Sequence, residues 1–113
     1  MKTVTVIHKY FEELSGLDPI TVASVKVPDN ILNVDDVLEY AWRWTNNVSG
    51  SWSRKENPKD NDDFNPNVIV LKPLDEDGRG HRSTSVGDHM VYDGKTYEVA
   101  MAGFKELTIT KEE

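Results

Sequence analysis

The densest set of reactive side chains in the sequence runs from Arg79 to His89 and holds Arg79, His81, Arg82, Ser83, Thr84, Ser85, Asp88 and His89. Arginines beside Gly78, Gly80 and a run of hydroxyls can form a backbone nest for a phosphate. His81 and His89 can act as an acid and base pair for phosphodiester chemistry. No GxxxxGK[ST] or GxGxxG pattern supports the phosphate reading. Serine, histidine and aspartate occur together, but a triad is defined by geometry, and residues this close on one turn rarely achieve it. The structural reading of the same residues is plainer. Arg82 pairs with an acid, the serines cap the turn, and the histidines lie on the surface. Judged by what a catalytic site requires, the segment falls short, and the chain reads as non-enzymatic.

Metal and cofactor chemistry has little to work with. Cysteine is absent, which removes disulfides, thiolate sites and cysteine nucleophiles. Only His8, His81 and His89 provide imidazoles, and His8 reads as a satisfied histidine at a sheet rim. Asp60, Asp62 and Asp63 suggest calcium. The spacing fails, because Phe64 stands where a third oxygen ligand belongs, with no glycine or closing glutamate at the required positions. No cofactor is expected.

These residues must be positioned by a chain of 113 residues, a length suited to one domain spanning 1–113 with a self-sufficient core. Thirteen Lys+Arg against twenty Asp+Glu give a net charge of −7. That sign disfavours general nucleic-acid binding, allows mimicry of nucleic acid in a basic groove, and is also ordinary solubility chemistry. No apolar run is long enough to span a bilayer, and MKTVTVIHKY is too short and polar for a signal peptide. The expectation is a cytoplasmic protein with no membrane contact.

Period-two alternation predicts strands over 2–10 and 20–27, joined by a loop over 11–19. Asn33 followed by Asp35 and Asp36 opens a helix predicted from Val34 to Thr45. At about 100° per residue, Val34, Ala41 and Thr45 centre one face, flanked by Leu38 and Trp42 on one side and Tyr40 and Trp44 on the other. The apolar arc spans roughly 200°, wider than a surface helix needs. Either a loop around Trp52 covers one flank, or one flank is presented to a partner as an aromatic anchor. Residues 46–66 form a polar and charged loop, mobile unless Trp52 and Phe64 pin its ends. The run Val68 to Leu71 is expected as the central strand, buried on both faces.

The C-terminal module covers 81–107. Gly87 launches a strand over His89 to Tyr92, and Asp93-Gly94 is a strong hairpin signal. The return strand runs from Lys95 to Met101, with Tyr97, Val99 and Met101 on one face. Ala102-Gly103 breaks the period and Phe104 turns back towards the core. Leu107 and Ile109 begin a last strand. The fold class is α+β: a mostly antiparallel, curled sheet of about five strands with one main helix on a face.

The elements Arg82-Ser83-x-Ser85-Val86-Gly87-Asp88, Asp93-Gly94-Lys95-x-Tyr97-x-Val99 and Gly103-Phe104 resemble a pattern of small phage, prophage and plasmid proteins. They are also similar to the end of YodL-like domains in polyvalent proteins of mobile elements. The likeness covers about a quarter of the chain, and YAWRWTNNVSGSW, from Tyr40 to Trp52, has the same character. The resemblance implies an accessory protein acting on host machinery and transfers no catalytic residue. The functional expectation is therefore a binding protein that engages a host protein, most concretely to inhibit a bacterial defence or regulatory system. Its candidate binding residues are Tyr40, Trp44, Trp52, Arg79, His81, Arg82, Ser83 and Ser85. The alternatives are a nucleotide- or phosphate-binding protein using Arg79 to His89, and a virion assembly protein. Oligomeric state is left open.

Overall fold

The computed structural model describes residues 2–9, 20–55, 58–72 and 80–107. Arg79, the predicted loop over 11–19 and the predicted strand residues Thr108 to Thr110 lie outside the described residues. Six strands and one α-helix follow in the order β1 (Lys2–His8), β2 (Ile20–Val27), α1 (Val34–Arg43), β3 (Val68–Val70), β4 (His89–Tyr92), β5 (Lys95–Val99) and β6 (Phe104–Glu106). The strands form one antiparallel sheet in the order β3-β2-β1-β4-β5-β6. The expected α+β class holds, with six strands rather than about five.

Alternation in β1 sends Val4, Val6 and His8 to the core side and Thr3, Thr5 and Ile7 to the other. Register carries that side across the sheet: Val4 faces Val25, Val6 faces Ala23 and Met90, and Met90 faces Tyr97. Between Val6 and Ile7 the β1–β2 register shifts, so Val22 is an extra residue. Such a bulge lets neighbouring residues share a face, and both Val22 and Ala23 are buried. The resulting core also takes in Val37, Leu38, Ala41, Trp52 and Val99.

Asn33 caps α1 as expected, its side chain accepting from the Asp35 amide at 2.8 Å. The helix ends at Arg43, and Trp44 is its C-cap. Thr45 leaves the helix but stays fully buried. The face that meets β1 and β2 carries Val37, Leu38 and Ala41. Val34 is 42% exposed, because the first turn of α1 is not covered by the sheet.

Three strand expectations need correction. β3 is an edge strand, not the central one, and Ile69 is 42% exposed. A short apolar run fits either position, and here only Val68 is buried while the centre of the sheet is held by β1 and β4. Met101 does not continue the buried face of β5, since the strand ends at Val99 and Met101 sits 94% exposed in the following turn. The last strand starts at Phe104, because Ala102-Gly103 makes a hairpin turn: Gly103 has φ 78° and its carbonyl accepts from the Ala100 amide. Asp93 and Gly94 take φ values of 54° and 77°, the left-handed geometry the β4–β5 turn was expected to use.

Candidate functional site

Asp88 is fully buried just before β4. Its Oδ2 accepts from Arg82 at 2.6 Å and from the Ser85 amide at 2.7 Å. Its Oδ1 accepts from the other guanidinium nitrogen at 2.8 Å and from the Lys9 amide at 2.8 Å. Burial alone would raise the carboxyl pKa. The Arg82, Ser85 and Lys9 bonds outweigh it and hold the pKa below the ordinary aspartate value. Arg82 also donates to the carbonyls of Lys9 and Ser83. A fork geometry suited to an external phosphate is thus engaged by an internal carboxylate and two carbonyls.

Behind this pair lies a buried relay. Thr45 Oγ1 donates to the Ala41 carbonyl at 2.8 Å, and Thr84 Oγ1 donates to Thr45 Oγ1 at 2.8 Å. A hydroxyl has one proton to give, so Thr84 Oγ1 must accept from His8 Nε2, 2.9 Å away. His8 Nε2 therefore carries a proton in this arrangement. Its pKa is lowered to about 4, chiefly by burial, with the Asp88 charge opposing and Arg82 and His81 assisting. The His8 and Trp52 rings meet edge to face at 6.1 Å, and the His81 ring lies tilted against Trp52 at 5.7 Å.

The loop after α1 is organised by Asp63 and Asn61. Asp63 Oδ2 accepts from three successive amides, Val48, Ser49 and Gly50, at 2.6 to 2.9 Å. Its Oδ1 accepts from Arg43 at 3.2 Å. Burial opposes ionisation, but these four bonds keep the pKa lowered. Asn61 accepts from the amides of Ser51 and Asp63 and donates to the carbonyls of Ser51 and Arg54. The polar segment expected to be a solvated loop is thus stapled from within, at Asp63 and Asn61 as well as at Trp52. Asp63 is a structural anion. Its partners lie more than ten residues away, so no local spacing announces them.

The expected binding residues separate. Trp52 is fully buried and its indole Nε1 donates to the Arg82 carbonyl at 2.8 Å, so it belongs to the core and presents no surface. Tyr40 is half-buried, its hydroxyl accepting from Asn65 and Asn67, both at 3.0 Å. Trp44 lies under the Arg43 guanidinium, 4.1 Å from the ring centre. His81 is half-buried, with Nε2 2.7 Å from the Lys72 carbonyl. Ser83 Oγ accepts from the Asn47 amide, and Ser85 Oγ donates to the Ser83 carbonyl. Arg82 and Ser85 therefore converge on Asp88 and both donate to the Ser83 carbonyl, while the Ser83 hydroxyl serves Asn47. Among the described residues no group of three His, Cys, Asp or Glu side chains is placed to hold a metal ion. No helix among them is long and apolar enough to cross a membrane.

Exposed apolar side chains lie in several places, Leu32 among them beside Tyr40 and Trp44. A groove of about 450 Å³ runs between α1 and the β5–β6 corner, lined by Trp42, Val86, Val99, Met101 and Phe104, with Glu39 the one charged lining residue among those described. Trp42 is 37%, Val86 46% and Met101 94% exposed. Trp42 belongs to the wide apolar arc recognised in the sequence. Val86 and Met101 had no signal, because alternation assigns Met101 to the core and Val86 sits in a turn. Comparison with protein-family models, curated proteins and solved structures returns no match to this chain.

Proposed function

We propose that this chain is a protein-binding accessory domain of a phage or mobile element, engaging a host protein and most concretely inhibiting a bacterial defence or regulatory system. The single observation that carries the binding reading is the exposed Trp42–Val86–Met101 cluster at the mouth of the groove beside α1. Large apolar side chains left on a surface, an aromatic among them, are what interface anchors look like. The contrast with Arg82, Asp88, His8 and Thr84 supports it, because those reactive groups are engaged by one another. The mobile-element origin rests on the sequence resemblance in the C-terminal module, and the host target follows from that origin.

The test is photo-crosslinking in bacteria with a crosslinking amino acid at Met101, compared with one at Thr3 on the opposite face of the sheet. The reading expects a host protein captured from Met101 and not from Thr3. The purified pair should then bind, and Trp42→Ala should weaken binding by about 30-fold, a typical hot-spot loss. Equal capture from both positions, or binding indifferent to Trp42→Ala, overturns it.

A further inference from the structure

We infer that the partner is held as an added strand: an extended segment pairs with the outer edge of β6 and places a large apolar side chain, next to a lysine or arginine, in the groove beside α1. The inference rests on the binding reading above and adds its mode and chemistry.

In an antiparallel ladder, successive residues turn their N–H and C=O groups alternately towards and away from the neighbouring strand. The Gly103 carbonyl accepts from the Ala100 amide, and the Leu107 amide donates to the Thr96 carbonyl. Residues 103, 105 and 107 thus face β5, and the N–H and C=O of Phe104 and Glu106 point outward. Among the described residues β6 has no partner strand on that side. Such an edge is a template for an extended peptide.

An apolar groove adjoins that edge. Phe104 pairs with Val99, and both line the groove, so the open edge and the apolar groove are continuous. A volume of about 450 Å³ takes one or two large side chains. Charge then selects the flank. Among the described residues Glu39 is the only charged one lining the groove, Glu106 lies exposed on the same face of the sheet, and the chain carries −7 overall. Glu39 and Trp42 are neighbours one turn apart on α1, so one cation can meet the carboxylate and the indole face together.

The probe is a random 12-residue peptide library selected on the full chain, followed by fluorescence binding of individual synthetic winners. The expected winners carry an aromatic or large aliphatic residue with Lys or Arg within two positions. Glu39→Lys should shift selection away from basic residues. Glu106→Pro removes one outward N–H while sparing the bonds to β5, and should weaken binding at least tenfold. Glu106→Ala keeps that N–H and loses only the charge, so it should weaken binding no more than about threefold. Amide resonances of Phe104 and Glu106 should shift on titration. Winners without a basic residue, winners that bind Glu106→Pro as they bind the parent, or no winners at all overturn the inference. A host protein captured from Met101 alongside an empty peptide selection overturns strand addition and leaves the binding reading standing.

Discussion

Arg82 and Asp88, six residues apart, meet in a two-bond pair of 2.6 and 2.8 Å that joins the turn before β4 to the end of β1. The carboxylate also holds the Lys9 amide, and the guanidinium holds the Lys9 carbonyl. Removing the cation leaves a fully buried carboxylate short of two donors. Arg82→Ala should therefore cost about 2–4 kcal/mol in urea unfolding, the lower part of that range reflecting a guanidinium that is 39% exposed. Arg82→Lys should recover only part, because an ammonium cannot span both carboxylate oxygens.

His8 makes stability depend on pH. Its folded pKa of about 4 lies below the 6.5 of the unfolded chain, so between those values the unfolded state binds more protons. Stability should be full above pH 6.5 and fall as pH drops towards 4, by up to about 3 kcal/mol. His89, also lowered by burial and Lys9, adds a loss of the same sign. His8→Gln keeps a neutral donor near Thr84 and removes the titration. Unfolding free energies at pH 7.5 and 4.5 should differ less in that variant than in the parent, and an equal difference would refute the assignment.

Asp63 should be the switch for order in the loop after α1. Asp63→Asn removes the charge and leaves an NH2 facing either the three N–H donors or the Arg43 guanidinium. It should cost about 2–3 kcal/mol and speed hydrogen exchange at Val48, Ser49 and Gly50, with exchange in β1 and β4 rising only as far as global stability falls. Because its folded pKa is lowered, its contribution is present above the ordinary aspartate value of 3.8 and lost as pH falls below it.

Two tryptophans ten residues apart should behave in opposite ways. Trp52→Ala empties the core beneath His8 and His81 and should cost about 3–5 kcal/mol. Trp42→Ala removes a side chain already 37% exposed and should cost about 1 kcal/mol or less in thermal unfolding while abolishing most partner binding. A large stability loss in Trp42→Ala would mean that the residue is structural and would remove the anchor from the groove.

Signals confined to a few neighbouring residues were legible in the sequence. Asn33 capped the helix, Asp93-Gly94 made its turn, and β2 ran from Ile20 to Val27, because capping, left-handed turns and alternation are short-range physics. That Arg82 would pair with an acid was also readable. That a single carboxylate, Asp88, would gather it together with Lys9 from the other end of the chain was not. Position within the sheet was equally hidden, since Val68 to Val70 is apolar whether it sits at the centre or the edge.

The α+β class, most element boundaries and a helix face too wide for its sheet follow from local pattern in the chain. Which aromatics end up buried and which stay outside depends on long-range packing. Trp52 fills the core, Tyr40 and Trp44 lean on neighbouring side chains, and Trp42 opens onto a groove with Met101 and Phe104. The physical reason is that periodicity reports how a segment divides its own surface. What comes to rest against each part is set by contacts with residues distant in the chain, such as Asp63 behind the loop and Asp88 beside β1.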